Sequence, residues 1–288
     1  MGQVKKFGKV AMNDGVTMSS DSVVLNPFGA QTVEVVRMQN AQVEEDWVAE
    51  EIPVALVYNG ISHAVMMTTP SLLEEFAVGF SLAEGIVPDL SHIHDIEVSE
   101  ACQGMQVSIE ISSECFWHLK EHRRSMTGRT GCGICGVESL EGAVRKVPQV
   151  GHTQHFDIRL YEQGLSYLEK VESLGNLTGC THAAVWVHPD GSLAGGSEDV
   201  GRHVALDKLL GMRALNGWHD GALFVSSRAS YEMVQKAAMC DIEIMFAVSA
   251  PTALAVRLAK ESGVTLSAFC RRQKANVYAH PERLLGLQ

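Results

Sequence analysis

Apolar and polar positions follow one rhythm up to about residue 112 and another from about residue 182. Short alternating runs dominate the first part. Thr32 to Met38 alternates with β-branched residues and predicts a strand. Ile52 to Tyr58 and Ser62 to Thr68 flank Asn59-Gly60, a dipeptide suited to a two-residue hairpin turn. Thr69-Pro70 then opens a helix, with Thr69 as N-cap, Pro70 at the first helical position and Ser71 to Glu74 as a capping box. Leu72, Leu73, Phe76, Ala77 and Phe80 give that helix an apolar stripe, and it stops near Gly85. His94 to Val98 and Gln106 to Ile111 predict two more strands, completing a small α+β unit.

A polar helix is expected from Glu114 to Arg124, and Asp157 caps another that runs to about Leu174. Strands then alternate with helices. The strands are His182 to His188, Ala222 to Ser227, Ile244 to Ser249 and Thr265 to Cys270; the helices are Gly201 to Leu215, Ser230 to Cys240 and Pro251 to Gly263. Short apolar strands separated by helices predict a largely parallel sheet covered on both faces. The fold class is therefore α/β, with a smaller N-terminal α+β domain. The expected division is an arm over 1–30, the small domain over 31–125 and the α/β domain over 126–288.

The 288 residues are 46% hydrophobic, enough for a packed core. A net charge of −11 argues against general nucleic-acid binding, so any anionic ligand needs a local basic patch. No apolar run is long enough to span a membrane, and no apolar segment follows Lys5, Lys6 and Lys9 as in a signal peptide. Seven cysteines, an odd number, fit free thiols in a reducing cytoplasm.

The chemistry concentrates in Thr127 to Gly136, which packs Cys132, Cys135 and four glycines into ten residues. Arg123, Arg124 and Arg129 lie nearby, and a short helix is expected over Val137 to Lys146. Cations and a helix N-terminus both favour thiolate. Zinc would need further paired ligands, yet Cys102, Cys115, Cys180, Cys240 and Cys270 are scattered. A thioredoxin-type pair would follow a strand, whereas a charged helical stretch precedes this one. A glycine-rich turn with idle cysteines is the bland alternative; an exposed nucleophilic sulfur is the reading the residues favour.

In an α/β sheet, ligands collect beyond the carboxyl ends of the strands. Those positions hold Ser226-Ser227-Arg228, Ser249-Ala250-Pro251-Thr252 and Cys270-Arg271-Arg272-Gln273-Lys274. Hydroxyls, arginines and helix starts suit phosphate; the alternative is a solvated basic rim. A second cluster, Glu198 to His203, holds two carboxylates, an arginine and a histidine. It either orients a substrate or is merely a capped helix start, with Asp199 or Ser197 as cap and Arg202 paired to Glu198. His182 reads equally as a core histidine.

Several stretches together resemble the formate dehydrogenase accessory sulfurtransferases, the FdhD family. They are Thr69-Pro70 through Gly85, Thr127 to Gly136, Glu198 to Lys208, Ser227 to Glu232, Ser249 to Ala255, and Asn276-Val277-Tyr278 with His280. The resemblance implies a cytidine-deaminase-like three-layer domain joined to the small α+β domain, in a cytoplasmic homodimer. It implies a sulfurtransferase in which Cys132 carries a persulfide and Cys135 is its partner. Sulfur would come from a cysteine desulfurase and pass to molybdenum bis(molybdopterin guanine dinucleotide), for use by formate dehydrogenase; GDP would mimic the acceptor's ends. Phe269, Cys270, Arg271, Arg272, Gln273 and Lys274 match the family's cofactor-binding stretch, and Arg228, Ser249 and Thr252 join them from the strand ends. The deaminase likeness is one of fold only: His182 is followed by Ala183-Ala184, without the glutamate of H-x-E, and P-C-x-x-C is absent. No zinc is expected, and no nucleic-acid or membrane partner.

Overall fold

The structure, a computed structural model, describes residues 29–127 and 146–287. The expected arm, the two-cysteine loop and the helix expected after it lie outside the described residues. The described residues open with an antiparallel ribbon, β1 (Ala30–Val36) and β2 (Val43–Ala49). β3 (Ile52–Tyr58) and β4 (Ile61–Thr68) form the expected hairpin, with Asn59 and Gly60 both at positive φ (45° and 78°). The Asn59 side chain donates to Ile111 O at 3.0 Å and accepts from its N–H at 2.8 Å, so the turn also holds the end of β6 (Gly104–Ile111). With β5 (Ile93–Ala101) these strands form a sheet in the order β4-β3-β6-β5. Helix α1 (Leu73–Ala83) buries Leu73, Phe76 and Phe80 against Val54, Leu56 and Ile109 of that sheet. Helix α2 (Ser113–Thr127) follows β6.

Thr69 does not cap α1, nor does Pro70 occupy its first position. The helix begins after Leu72, at φ 54°, with no side-chain cap. Thr69 is engaged elsewhere: its N–H and hydroxyl both donate to Asp199, at 2.9 Å each. A partner 130 residues away overrides the local capping preference.

Beyond Lys146, β7 (Phe156–Asp157) leads to α3 (Tyr161–Val171) and α4 (Ser173–Thr178). Asp157 caps a single 3₁₀ turn ahead of α3, accepting from the Arg159 N–H, and the expected single helix breaks at Glu172. Next come β8 (His182–Val187), β9 (Leu193–Asp199), α5 (Arg202–Asn216), β10 (Ala222–Val225) and α6 (Tyr231–Met239). β11 (Ile244–Ala247), α7 (Ala253–Ser262), β12 (Thr265–Arg271), β13 (Lys274–Ala279) and β14 (Leu284–Leu285) complete the chain.

The large sheet has the order β13-β12-β11-β10-β8-β9 and is mixed rather than largely parallel. Only β10–β11 and β11–β12 pair in parallel; β8–β10, β8–β9 and β12–β13 are antiparallel. The reason is connection length. β8–β9 and β12–β13 are joined by short turns, which permit only antiparallel neighbours, whereas a helix crosses over between each parallel pair. α5, α6 and α7 cover one face through Leu206, Leu209, Met233, Val234 and Leu258. α3 covers the other, over Phe156, Phe224 and Phe246; the last two rings stack with centroids 4.5 Å apart.

α1 of the small unit crosses α5 at backbone contact. A Cβ on Gly79 would overlap the Asp207 carbonyl, and one on Gly211 would overlap the Glu75 carbonyl. Only glycine permits that approach. Buried ion pairs flank the crossing: Lys236 reaches Asp207 and Glu84, at 2.9 Å each, and Lys208 reaches Asp199 at 2.7 Å. No helix among the described residues is long and apolar enough to cross a membrane.

Candidate functional site

One edge of the large sheet gathers residues from both sequence clusters. Antiparallel pairing sets His182 opposite Asp199. It also sets Ser226 beside Ala183, where Ser226 N–H donates to Ala183 O at 3.0 Å and Ser226 Oγ accepts from Ala183 N–H at 2.9 Å. The ladder continues from Val248 to Val225 and from Phe269 to Ser249, at 3.0 and 3.1 Å. The carboxyl ends of β10, β11 and β12 thus share an edge with the start of β8, the end of β9 and the first turns of α5, α6 and α7.

The expected phosphate residues divide on that edge. Arg228 and Ser249 are exposed at the strand tips. Thr252 caps α7, accepting from the Ala255 N–H at 3.2 Å, and its exposed hydroxyl keeps its hydrogen for donation. Phe269 and Gln273 take positive φ (54° and 59°), and the register slips between Ala268 and Arg271. Arg271 is exposed; Cys270 is buried, which pushes its thiol up to about 12 and keeps it protonated at neutral pH.

Two grooves open on the α3 side. One, of about 200 Å³, is lined by Arg272, Ser226, Val248 and Cys270, but also by Glu162, Glu169 and Glu172. The other, of about 370 Å³, is lined by Tyr161, Phe246, Ser267, Gln273 and Lys274, with Glu162 shared between the two and Arg159, paired to Asp157, at its side. The wall between them is a pair of contacts: Gln273 N–H donates to Glu162 at 2.8 Å, and the Tyr161 hydroxyl donates to Lys274 O at 3.2 Å. The uniform basic rim expected from the strand ends is therefore replaced by mixed charge. The second groove suits an anion attached to a planar group better, through its cations and aromatic rings. The Ser267 hydroxyl there is buried without a partner. The sequence offers no signal for it beyond one small polar residue in an apolar strand.

The Glu198–His203 cluster is built differently from its local reading. Asp199 accepts the Gly201 N–H at 2.9 Å, Thr69 and Lys208, so it joins the two units rather than capping α5. Ser197 donates to Ala205 O at 2.6 Å. Arg202 does not pair with Glu198; it faces Glu232 at 4.0 Å, beside His203, whose Nε2 is 2.7 Å from the same carboxylate. Glu198 instead accepts the Gly175 N–H of α4 at 3.1 Å, and burial pushes its carboxyl up. Burial holds both His203 and His182 below the usual histidine range, with the Arg202 charge adding to it. No described group of three or more His, Cys, Asp or Glu has the arrangement of a metal site.

A model of the FdhD/NarQ family matches residues 49–285. The chain belongs to the FdhD/NarQ family. The matched span takes in Cys132 and Cys135, both outside the described residues, and every strand-tip residue named above. The fold is also similar to a crystal structure of a protein described as a formate dehydrogenase accessory protein from Desulfotalea psychrophila. The two are 28% identical with a TM-score of 0.68, over 89% of this chain and 98% of that one. As an FdhD/NarQ chain, it has most of its ribbon β1–β2 upstream of the family match.

Proposed function

We propose that this chain is a sulfurtransferase of formate dehydrogenase maturation. A cysteine desulfurase supplies the sulfur. The Cys132 thiolate attacks the outer sulfur of the donor's persulfide, a new S–S bond forms on Cys132, and the donor cysteine leaves as thiolate. No net oxidation occurs, so loading needs no further reagent. Cys135 is the partner thiol. The outer sulfur then passes to molybdenum bis(molybdopterin guanine dinucleotide), the substrate of the transfer: the S–S bond breaks, Cys132 leaves as thiolate, and the reduced metal of the acceptor supplies the two electrons that bring the sulfur to the sulfide level. Arg272 on one side of the hairpin tip and Lys274 on the other are the cations offered to its phosphates.

The observation that carries this reading is the FdhD/NarQ match across 49–285, which spans the two-cysteine loop. The grooves beside Arg272 and Lys274 support the acceptor assignment. The cytidine-deaminase-like architecture, a domain boundary near residue 125, the homodimer and the cytoplasmic location belong to the same proposal. Helices on both faces of the six-stranded sheet support the first of these. The test is complementation: a strain lacking the protein regains formate dehydrogenase activity with the wild-type chain and not with Cys132→Ala. Restored activity with Cys132→Ala refutes the assignment of Cys132.

A further inference from the structure

The β1–β2 ribbon has a face built for a partner. Its register sets Thr32 opposite Trp47, Glu34 opposite Glu45 and Val36 opposite Val43, and all six residues are exposed. Val36 is 68% exposed, Val43 64% and Trp47 40%. Two carboxylates directly opposed across a strand pair repel one another and cost stability. The ribbon's one guanidinium, Arg37, is on the other side of this balance, bound to Glu44 at 2.9 Å and to Asp46 at 3.4 Å. Among the described residues no ion pair involves Glu34 or Glu45. The face is thus a paired negative charge between apolar side chains, and a two-stranded ribbon of this kind is marginal when left alone in water.

The root of the ribbon is firmly seated. Ala30 is fully buried, and Glu50 N–H donates to Gly29 O at 2.7 Å. α4 packs against β2, and Glu198 of the strand-tip edge holds the Gly175 N–H of α4. The exposed face is therefore carried on a support that leads to the candidate site.

We propose that this face docks the sulfur-donating enzyme, through a lysine or arginine of the donor ringed by apolar side chains. The occupant follows from charge. A cation seated between Glu34 and Glu45 removes their repulsion while its surroundings cover Trp47, Val36 and Val43. The acceptor, with its several phosphates, is repelled by this ribbon. A second copy meeting this face with its own would set Glu34 and Glu45 against the same two carboxylates. The inference rests on the sulfurtransferase reading and adds where the donor binds.

The test uses the full chain and a purified pyridoxal-dependent cysteine desulfurase, with Kd and sulfur loading measured side by side. Glu34→Lys/Glu45→Lys binds the desulfurase at least tenfold more weakly, and wild-type binding weakens as salt is raised. Loading slows at low donor concentration and recovers at high concentration. The single variant Glu34→Lys places opposite charges across the strands, so it melts no lower than wild type and still binds more weakly. Unchanged affinity in the double variant, with wild type binding and loading normally, overturns the ribbon assignment and leaves the sulfurtransferase reading intact. A wild-type chain that neither binds the desulfurase nor gains sulfur overturns that reading, and the donor as occupant with it.

Discussion

Lys208 and Asp199 are fully buried, 2.7 Å apart, with Thr69 donating to the carboxylate and accepting from the ammonium at 2.7 Å. Burial pulls the lysine pKa down and the Asp199 charge opposes that shift. Removing one partner strands the other charge, which costs about 3–5 kcal/mol. Asp199→Ala should lose that much in urea unfolding, while Asp199→Leu/Lys208→Met should lose clearly less than the two single changes summed. Equal losses would mean the charges do not act as a pair. No local pattern marks Lys208 as buried: it stands among leucines in a helix, where a lysine normally reaches solvent, and its partners lie 9 and 139 residues away. At the hairpin tip, each charge-assisted phosphate contact contributes about 1.5–3 kcal/mol, less where exposed. Arg272→Ala/Lys274→Ala should weaken GDP binding about tenfold or more by calorimetry, and unchanged affinity would remove both grooves from the acceptor site.

Elements were legible where the signal is local. The Asn59-Gly60 hairpin and the helices starting near Arg202, Tyr231 and Ala253 match their sequence patterns, because turn chemistry and apolar periodicity act over a few residues. β9 shows no strand pattern in the sequence because its register depends on glycines with distant reasons. A Cβ on Gly195 would overlap the Trp218 ring, and one on Gly196 would lie 2.7 Å from Val185 Cγ1. β2 hides in a run of carboxylates, and β13 in a polar stretch exposed over its first half. The same logic of close approach yields a prediction at α1–α5. Gly79→Ala or Gly211→Ala forces the helices apart and disturbs the flanking ion pairs, costing at least 1–3 kcal/mol, as overpacking does. A thermal midpoint equal to wild type in both variants would contradict the backbone contact.

At the scale of the molecule, the strand-tip edge joins two clusters that lie far apart in the chain, and no single-sequence pattern shows that convergence. Its histidines make stability depend on pH. Burial lowers the pKa of His182 and His203 below the unfolded value of about 6.5, so the unfolded chain binds more protons. Their contribution is present above about pH 6.5 and is lost as the pH falls through the folded pKa values. Melting temperature should therefore drop as the pH falls below about 6.5, and His182→Gln/His203→Gln should flatten that part of the profile. An unchanged slope would place the titration elsewhere.

The proposed sulfur transfer stands or falls on Cys132 as the sulfur carrier. Intact-mass spectrometry of the full chain, after incubation with a cysteine desulfurase and cysteine, reads it directly. The wild-type chain should gain one sulfur atom that a thiol reductant removes and that Cys132→Ala does not acquire. An unchanged wild-type mass, or the same gain in Cys132→Ala, would contradict it.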